Sequence, residues 1–225
     1  MFNFFKKKIR DRKVIQNTDF VVIDTELTGL DERKDSIISI GAIKMKGKKI
    51  FLGEIFYRHL NPSSVLNKDG VVIHQLMPSE LELCPDLEPI LREFLLFCKN
   101  SIFVGHFLKI DFSFLKRAIR KYIGLDFNPQ GVDTYLIFKW LIEKSVISKK
   151  YSEISMLSEI AESLGIKPEK LHDSLSDAFV TAQIFQKEIA LIESLNIWDL
   201  DFLLKIGQPH VSRYMSYKQQ LNYQF

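Results

Sequence analysis

The chain has 225 residues, 46% of them hydrophobic and 26% charged, and a net charge of +3. That length fits one well-filled core and leaves no room for a second large module, and the composition is that of a globular protein. No apolar run approaches the roughly 20 residues of a membrane span. The two cysteines, Cys84 and Cys98, form no Cys-x-x-Cys pair, which argues against a disulfide scaffold or zinc knuckle and for a reducing cytoplasm.

In chain order, Met1 to Phe5 is largely apolar and is followed by Lys6, Lys7, Lys8, Arg10, Arg12 and Lys13 against the single acid Asp11. Apolar residues precede the charges, the reverse of a signal peptide. Residues 1 to 17 are expected to form a basic arm, either solvated or touching phosphate or a partner. The run Phe20-Val21-Val22-Ile23 reads as a buried strand over 19 to 24, left by the turn Thr28-Gly29-Leu30-Asp31. Asp24-Thr25-Glu26 ends that run, where a buried strand would surface at a sheet edge. Strand side chains alternate faces, so Asp24 and Glu26 point the same way, about 6 to 7 Å apart, and a hard cation fits between them.

A second strand is expected near Ile37 to Met45 and a third near Lys49 to Tyr57, joined through Lys46-Gly47-Lys48 as a hairpin. The stretch from Asn61 to Pro85 reads as irregular, crossing the mouth of a site. The pattern then becomes helix over Leu87 to Lys99, strand over Ile102 to Gly105 and helix over Phe112 to Ile123. More helices follow near Thr134 to Lys144, Ser152 to Leu164 and Ser176 to Ile192. The expected fold is α/β, a mixed sheet of about five strands in which an antiparallel three-strand meander is followed by parallel strands with flanking helices. Its domain spans residues 18 to 193. Residues 194 to 225 form an extension, helical and packed on the domain edge or partner-binding.

Two further segments carry chemistry. His106 to Asp111 reads as strand end, loop and helix start, where Asp111 taken alone is as readily a helix cap as a ligand. His172 and Asp177 lie five residues apart at a loop-to-helix junction, which lets both face one pocket, although either one alone is more simply capping and solvation.

Together, Asp24-Thr25-Glu26, His106 to Asp111 and His172 to Asp177 resemble the motifs of the DEDDh 3′-to-5′ exonucleases. This RNase H-like group includes the proofreading subunit of bacterial replicative polymerases. The resemblance implies that Asp24 bridges two divalent cations, Mg²⁺ or Mn²⁺, that Glu26 and Asp177 complete the tighter site, and that Asp111 supports the looser one. Oxygen-only ligands suit those ions, and crowded carboxylates repel one another until cations neutralise them. His172, the side-chain type that titrates nearest neutrality, would take the proton of an attacking water.

Leu30 and His74 match family positions near the terminal nucleotide, and Thr28 and Phe107 join them as candidate substrate-binding residues. Phe107 is either a base-stacking ring or part of the core. Leu27, Gln75 and Phe107 depart from the family pattern of threonine, glycine and asparagine, so the shape of the pocket is not carried over.

The implied partner is a nucleic-acid 3′ end, single-stranded or frayed DNA ahead of RNA, with a polymerase subunit or sliding clamp as a protein partner and no membrane. Gln220 to Phe225 loosely resembles clamp-docking peptides. An RNA-trimming exoribonuclease or oligoribonuclease is the competing enzyme. A non-catalytic nucleic-acid-binding scaffold is the competing class, disfavoured because it has no reason to keep four mutually repelling carboxylates.

Overall fold

The computed structural model describes residues 14–61, 84–168 and 172–209. The arm up to Lys13, the segment containing His74 and Gln75, and the peptide Gln220 to Phe225 lie outside the described residues. Among the described residues, five strands form one sheet: β1 (Asp19–Leu27), β2 (Ile37–Lys46), β3 (Lys49–His59), β4 (Ile102–Gly105) and β5 (Gly131–Asp133), in the order β3-β2-β1-β4-β5. The first three pair antiparallel, whereas β4 lies parallel to β1 and β5 parallel to β4. This is the expected mixed sheet. The three residues of β5 are too few to show a period.

Local chemistry explains the order. Gly47, at φ +54°, supplies the left-handed residue that a two-residue hairpin demands, and an added Cβ there would sit 2.7 Å from the Gln16 carbonyl oxygen. Among the described residues, six helices cover the sheet: α1 (Leu87–Phe97), α2 (Lys109–Tyr122), α3 (Thr134–Glu143), α4 (Leu157–Ser163), α5 (Ser174–Ser194) and α6 (Leu200–Gly207). On one face, Val21, Ile23 and Leu27 pack with Phe94 of α1 and Leu115 of α2; on the other, Phe20 and Val22 pack with α3, α5 and α6. Phe20 and Phe185 meet edge to face at 5.1 Å, fastening α5 to the central strand, a pair worth about 0.5 to 1.5 kcal/mol beyond its burial.

Some boundaries differ from the sequence expectation for identifiable reasons. The strand expected to stop at 24 continues to Leu27, because Thr25 and Glu26 still pair with Ile40 and Ser39 of β2. It is also the central strand, not a sheet edge. An edge-like opening arises instead because β4 pairs only with Phe20–Val22, leaving the far end of β1 without a strand on that flank. The helix expected from Ser152 starts at Leu157, after a short 3-10 turn at Lys149–Tyr151.

Packing continues past both ends of the 18–193 span. Ile15 is wholly buried and its amide donates to the Trp198 carbonyl, while Leu200 and Leu203 of α6 enter the same core. Among the described residues, no helix is long and apolar enough to cross a membrane.

Candidate active site

Asp24 and Glu26 leave the α5-covered face of β1 at its open end, continuing the line of Phe20 and Val22. Across the ladder, Asp24 faces Gly41 of β2. A Cβ on Gly41 would lie 2.2 Å from the carbonyl carbon and oxygen of Ser174, so the missing side chain is what allows the start of α5 to seat on the sheet. One turn into that helix stands Asp177. Ligand oxygens of Asp24, Glu26 and Asp177 all lie within 4.8 Å of one another.

The opening of α5 is held residue by residue. Asp173 caps it, accepting from the Ser176 amide at 3.0 Å, and also accepts from the Tyr57 hydroxyl of β3. The Ser174 and Ser39 hydroxyls share a 2.6 Å hydrogen bond. His172, exposed and at φ +64°, donates its backbone N–H to Asp177 Oδ2 at 3.2 Å, so the loop curls back over that carboxylate.

Asp111 arrives from α2 on the other flank. It lies in the first turn of that helix and does not cap it, because the helix begins at Lys109. Its Oδ1 accepts from Thr25 Oγ1 at 2.6 Å, tying the carboxylate to the strand segment between Asp24 and Glu26. Thr25 has no signal in the sequence beyond its place between two acids.

Electrostatics mark the cluster. Burial, and then the charges of Asp111, Glu26, Asp177 and Asp173, push the Asp24 carboxyl well above the usual carboxylate range. Burial raises Asp111 to about 7 against the opposing pull of the Thr25 hydrogen bond. Burial and then Glu26 raise Asp177 to about 7. Asp177 Oδ1 is buried with no hydrogen-bond partner among the described residues. A buried acceptor without a donor, inside a set of mutually repelling carboxylates, fits a hard divalent cation.

A linkage prediction follows. These folded-state pKa values lie above the unfolded ones, so the stability these groups contribute is present below about pH 4 and is lost as pH rises through about 7. Thermal melts with excess Mn²⁺ and with a chelator should therefore differ by several degrees more at pH 8 than at pH 5. Equal gains at both pH values would contradict the carboxylate site.

Among the other sequence-selected residues that the structure describes, Thr28 and Phe107 serve the fold. Thr28 is 2% exposed; its hydroxyl donates to Asp35 at 3.0 Å and accepts from the Ser36 amide at 2.9 Å, so the side chain serves the loop that follows β1. Leu30 is half-buried and packs beside the α1 and α2 core. Phe107, at φ +53°, packs its ring 4.9 Å from Tyr135, joining the core that includes α3. His106 is tied to Thr134 Oγ1 at 3.2 Å and to the Ser155 carbonyl at 2.9 Å, and burial lowers its imidazole to about 4. That histidine is a neutral structural link between β4 and its neighbours.

The family model RNase_T, described as an exonuclease, matches residues 21–185, a span that contains all four carboxylates and His172. The chain belongs to this exonuclease family. The chain is 32% identical over 200 residues to the DNA polymerase III PolC-type protein of Thermotoga maritima, covering 89% of this chain but only 14% of that relative. It is 31% identical over 184 residues to DNA polymerase III subunit epsilon of Aquifex aeolicus, covering 80% of this chain and 85% of that subunit. Among solved structures, E. coli exonuclease I in complex with a dA16 oligonucleotide has a TM-score of 0.67 at 13% identity, over 84% of this chain and 42% of that one. The last likeness speaks for the fold alone.

Proposed function

We propose that the chain is a divalent-cation-dependent 3′-to-5′ exonuclease that releases 5′-mononucleotides from DNA ends by a two-metal mechanism, in proofreading or repair. The observation that carries this reading is the convergence of Asp24, Glu26, Asp111 and Asp177, from three separate segments, at the open end of the central strand. The preference for DNA, and for a polymerase as partner, draws on the polymerase III relatives.

Asp24, Glu26 and Asp177 would hold the tighter cation, and Asp24 with Asp111 the looser one. Cations held there would supply the charge that steadies the attacking and leaving oxygens of an in-line displacement. The chain's own contribution is position. Gly41 admits the helix that brings Asp177 to the strand, Thr25 orients Asp111, and His172 at the rim accepts the proton of the attacking water. Leu30 and His74 stand for contacts to the terminal nucleotide.

One digestion panel tests the reading. With Mg²⁺ or Mn²⁺, single-stranded DNA and the frayed end of a mismatched primer-template should release mononucleotides from the 3′ end, and a chelator should stop the reaction. Absence of release under every condition would overturn the proposal. Faster digestion of RNA, or of very short RNA, would move the substrate to RNA while leaving the chemistry in place.

A further inference from the structure

A second line of contacts lies behind the carboxylates, and it involves residues with no metal-binding role. Asp24, Gly41 and Tyr57 occupy directly opposed positions on β1, β2 and β3. Gly41 has no side chain, so the backbone of Ser174 occupies the gap between the other two. On the far side of that gap, the Tyr57 hydroxyl donates to Asp173, immediately before Ser174. Asp173 in turn accepts from the Ser176 amide at 3.0 Å through its side chain, and from the Asp177 amide at 2.8 Å through its carbonyl. Residues on either side of Asp173 matter for the chemistry, since His172 precedes it and Asp177 lies one turn on.

We infer that Tyr57 is a positioning residue for the exonuclease reaction. Through its hydroxyl bond to Asp173 it clamps the first turn of α5 onto the edge strand and so sets where His172 and Asp177 stand. The inference rests on the exonuclease reading of the carboxylate centre. Its physical basis is that β3 is an edge strand among the described residues, so the Tyr57 hydroxyl is a point at which that edge grips the helix end. The Ser39 to Ser174 hydroxyl bond holds the next residue along, but it cannot fix the rotation of the Asp173 carboxylate that caps the turn. Ring contact with His59, at a centroid distance of 4.9 Å, keeps the phenol directed along this face.

Tyr57→Phe keeps the ring and removes the bond. The turnover number should fall about 10- to 100-fold, the usual consequence of losing a group that orients a metal-site residue. KM for a single-stranded oligonucleotide should stay within about twofold, since the contact is not to substrate. Hydrogen exchange at the Ser176 and Asp177 amides should accelerate, a readout independent of activity. Asp173→Asn, which keeps an acceptor oxygen for the Ser176 amide and turns an amide N–H toward the Tyr57 hydroxyl oxygen, should retain most of the turnover. In an Asp173→Ala background, Tyr57→Phe should change turnover by less than about twofold, because the two residues act as one unit.

Full turnover with unchanged exchange in Tyr57→Phe would overturn the inference. So would an equal loss in the Asp173→Ala background, which would give Tyr57 a different route of action. A wild-type chain without cation-dependent turnover would overturn the exonuclease reading itself, and that control is run first.

Discussion

Asp24→Asn should abolish turnover, by about 10³-fold or more, and at the same time raise the melting temperature of the cation-free protein at pH 8. Both effects have one cause. Asp24 is the carboxylate on which burial and the charges of Asp111, Glu26, Asp177 and Asp173 all act, so its ionised form is strongly penalised. The amide has nearly the same volume and leaves the β1 packing intact, while the repulsion disappears. A folded-state pKa above the unfolded value means that ionisation opposes folding as pH rises, so a neutral isostere removes that cost where it is largest. The function loses what stability gains, because a cation-binding oxygen is gone and removal of even one electrostatic stabiliser costs 10² to 10³ in other active sites. Thermal melts in chelator and a mononucleotide-release assay on the same preparations check the pair. A variant that keeps full turnover, or that melts below wild type at pH 8, would remove Asp24 from the centre of the cluster.

Much of this site is legible in the sequence because short-range rules suffice for it. Alternation along a strand is enough to send Asp24 and Glu26 to one side, and a loop before a helix is enough to gather His172 and Asp177. The meander is equally local, since the tight turn between β2 and β3 is marked by Gly47.

What could not be read depends on residues far apart in the chain. Thr25 meets Asp111 across 86 positions, Tyr57 meets Asp173 across 116, and Ser39 meets Ser174 across 135. Nothing in the immediate surroundings of any of them announces its partner. Gly41 is an intermediate case. A lone glycine inside the apolar run of β2 is a sign of close backbone approach, but what approaches is known only once α5 is in place. Phe107 shows the opposite ambiguity, since an exposed stacking ring and a core ring have the same neighbours in sequence. Its packing against Tyr135 turns the residue toward the interior.

The second large effect is expected at His172, where two substitutions are needed because the residue contributes both an imidazole and an unusual backbone. At φ +64° it occupies the left-handed region, which alanine tolerates poorly and asparagine readily, and its N–H donates to Asp177 Oδ2. His172→Ala therefore removes the proposed base and also biases the loop away from the conformation that holds Asp177. His172→Asn removes the base and keeps the loop. If the imidazole accepts the proton of the attacking water, both variants should lose about 10² to 10⁴ in turnover, the usual reach of general-base catalysis. Mn²⁺ affinity, measured by calorimetry, should stay close to wild type in His172→Asn and fall modestly in His172→Ala. Substantial turnover by His172→Asn would mean that the left-handed loop is what the reaction needs and would remove the imidazole from the mechanism. A parallel collapse of Mn²⁺ affinity in both variants would instead make His172 a ligand, a role its place at the exposed rim, outside the cluster of Asp24, Glu26 and Asp177, argues against.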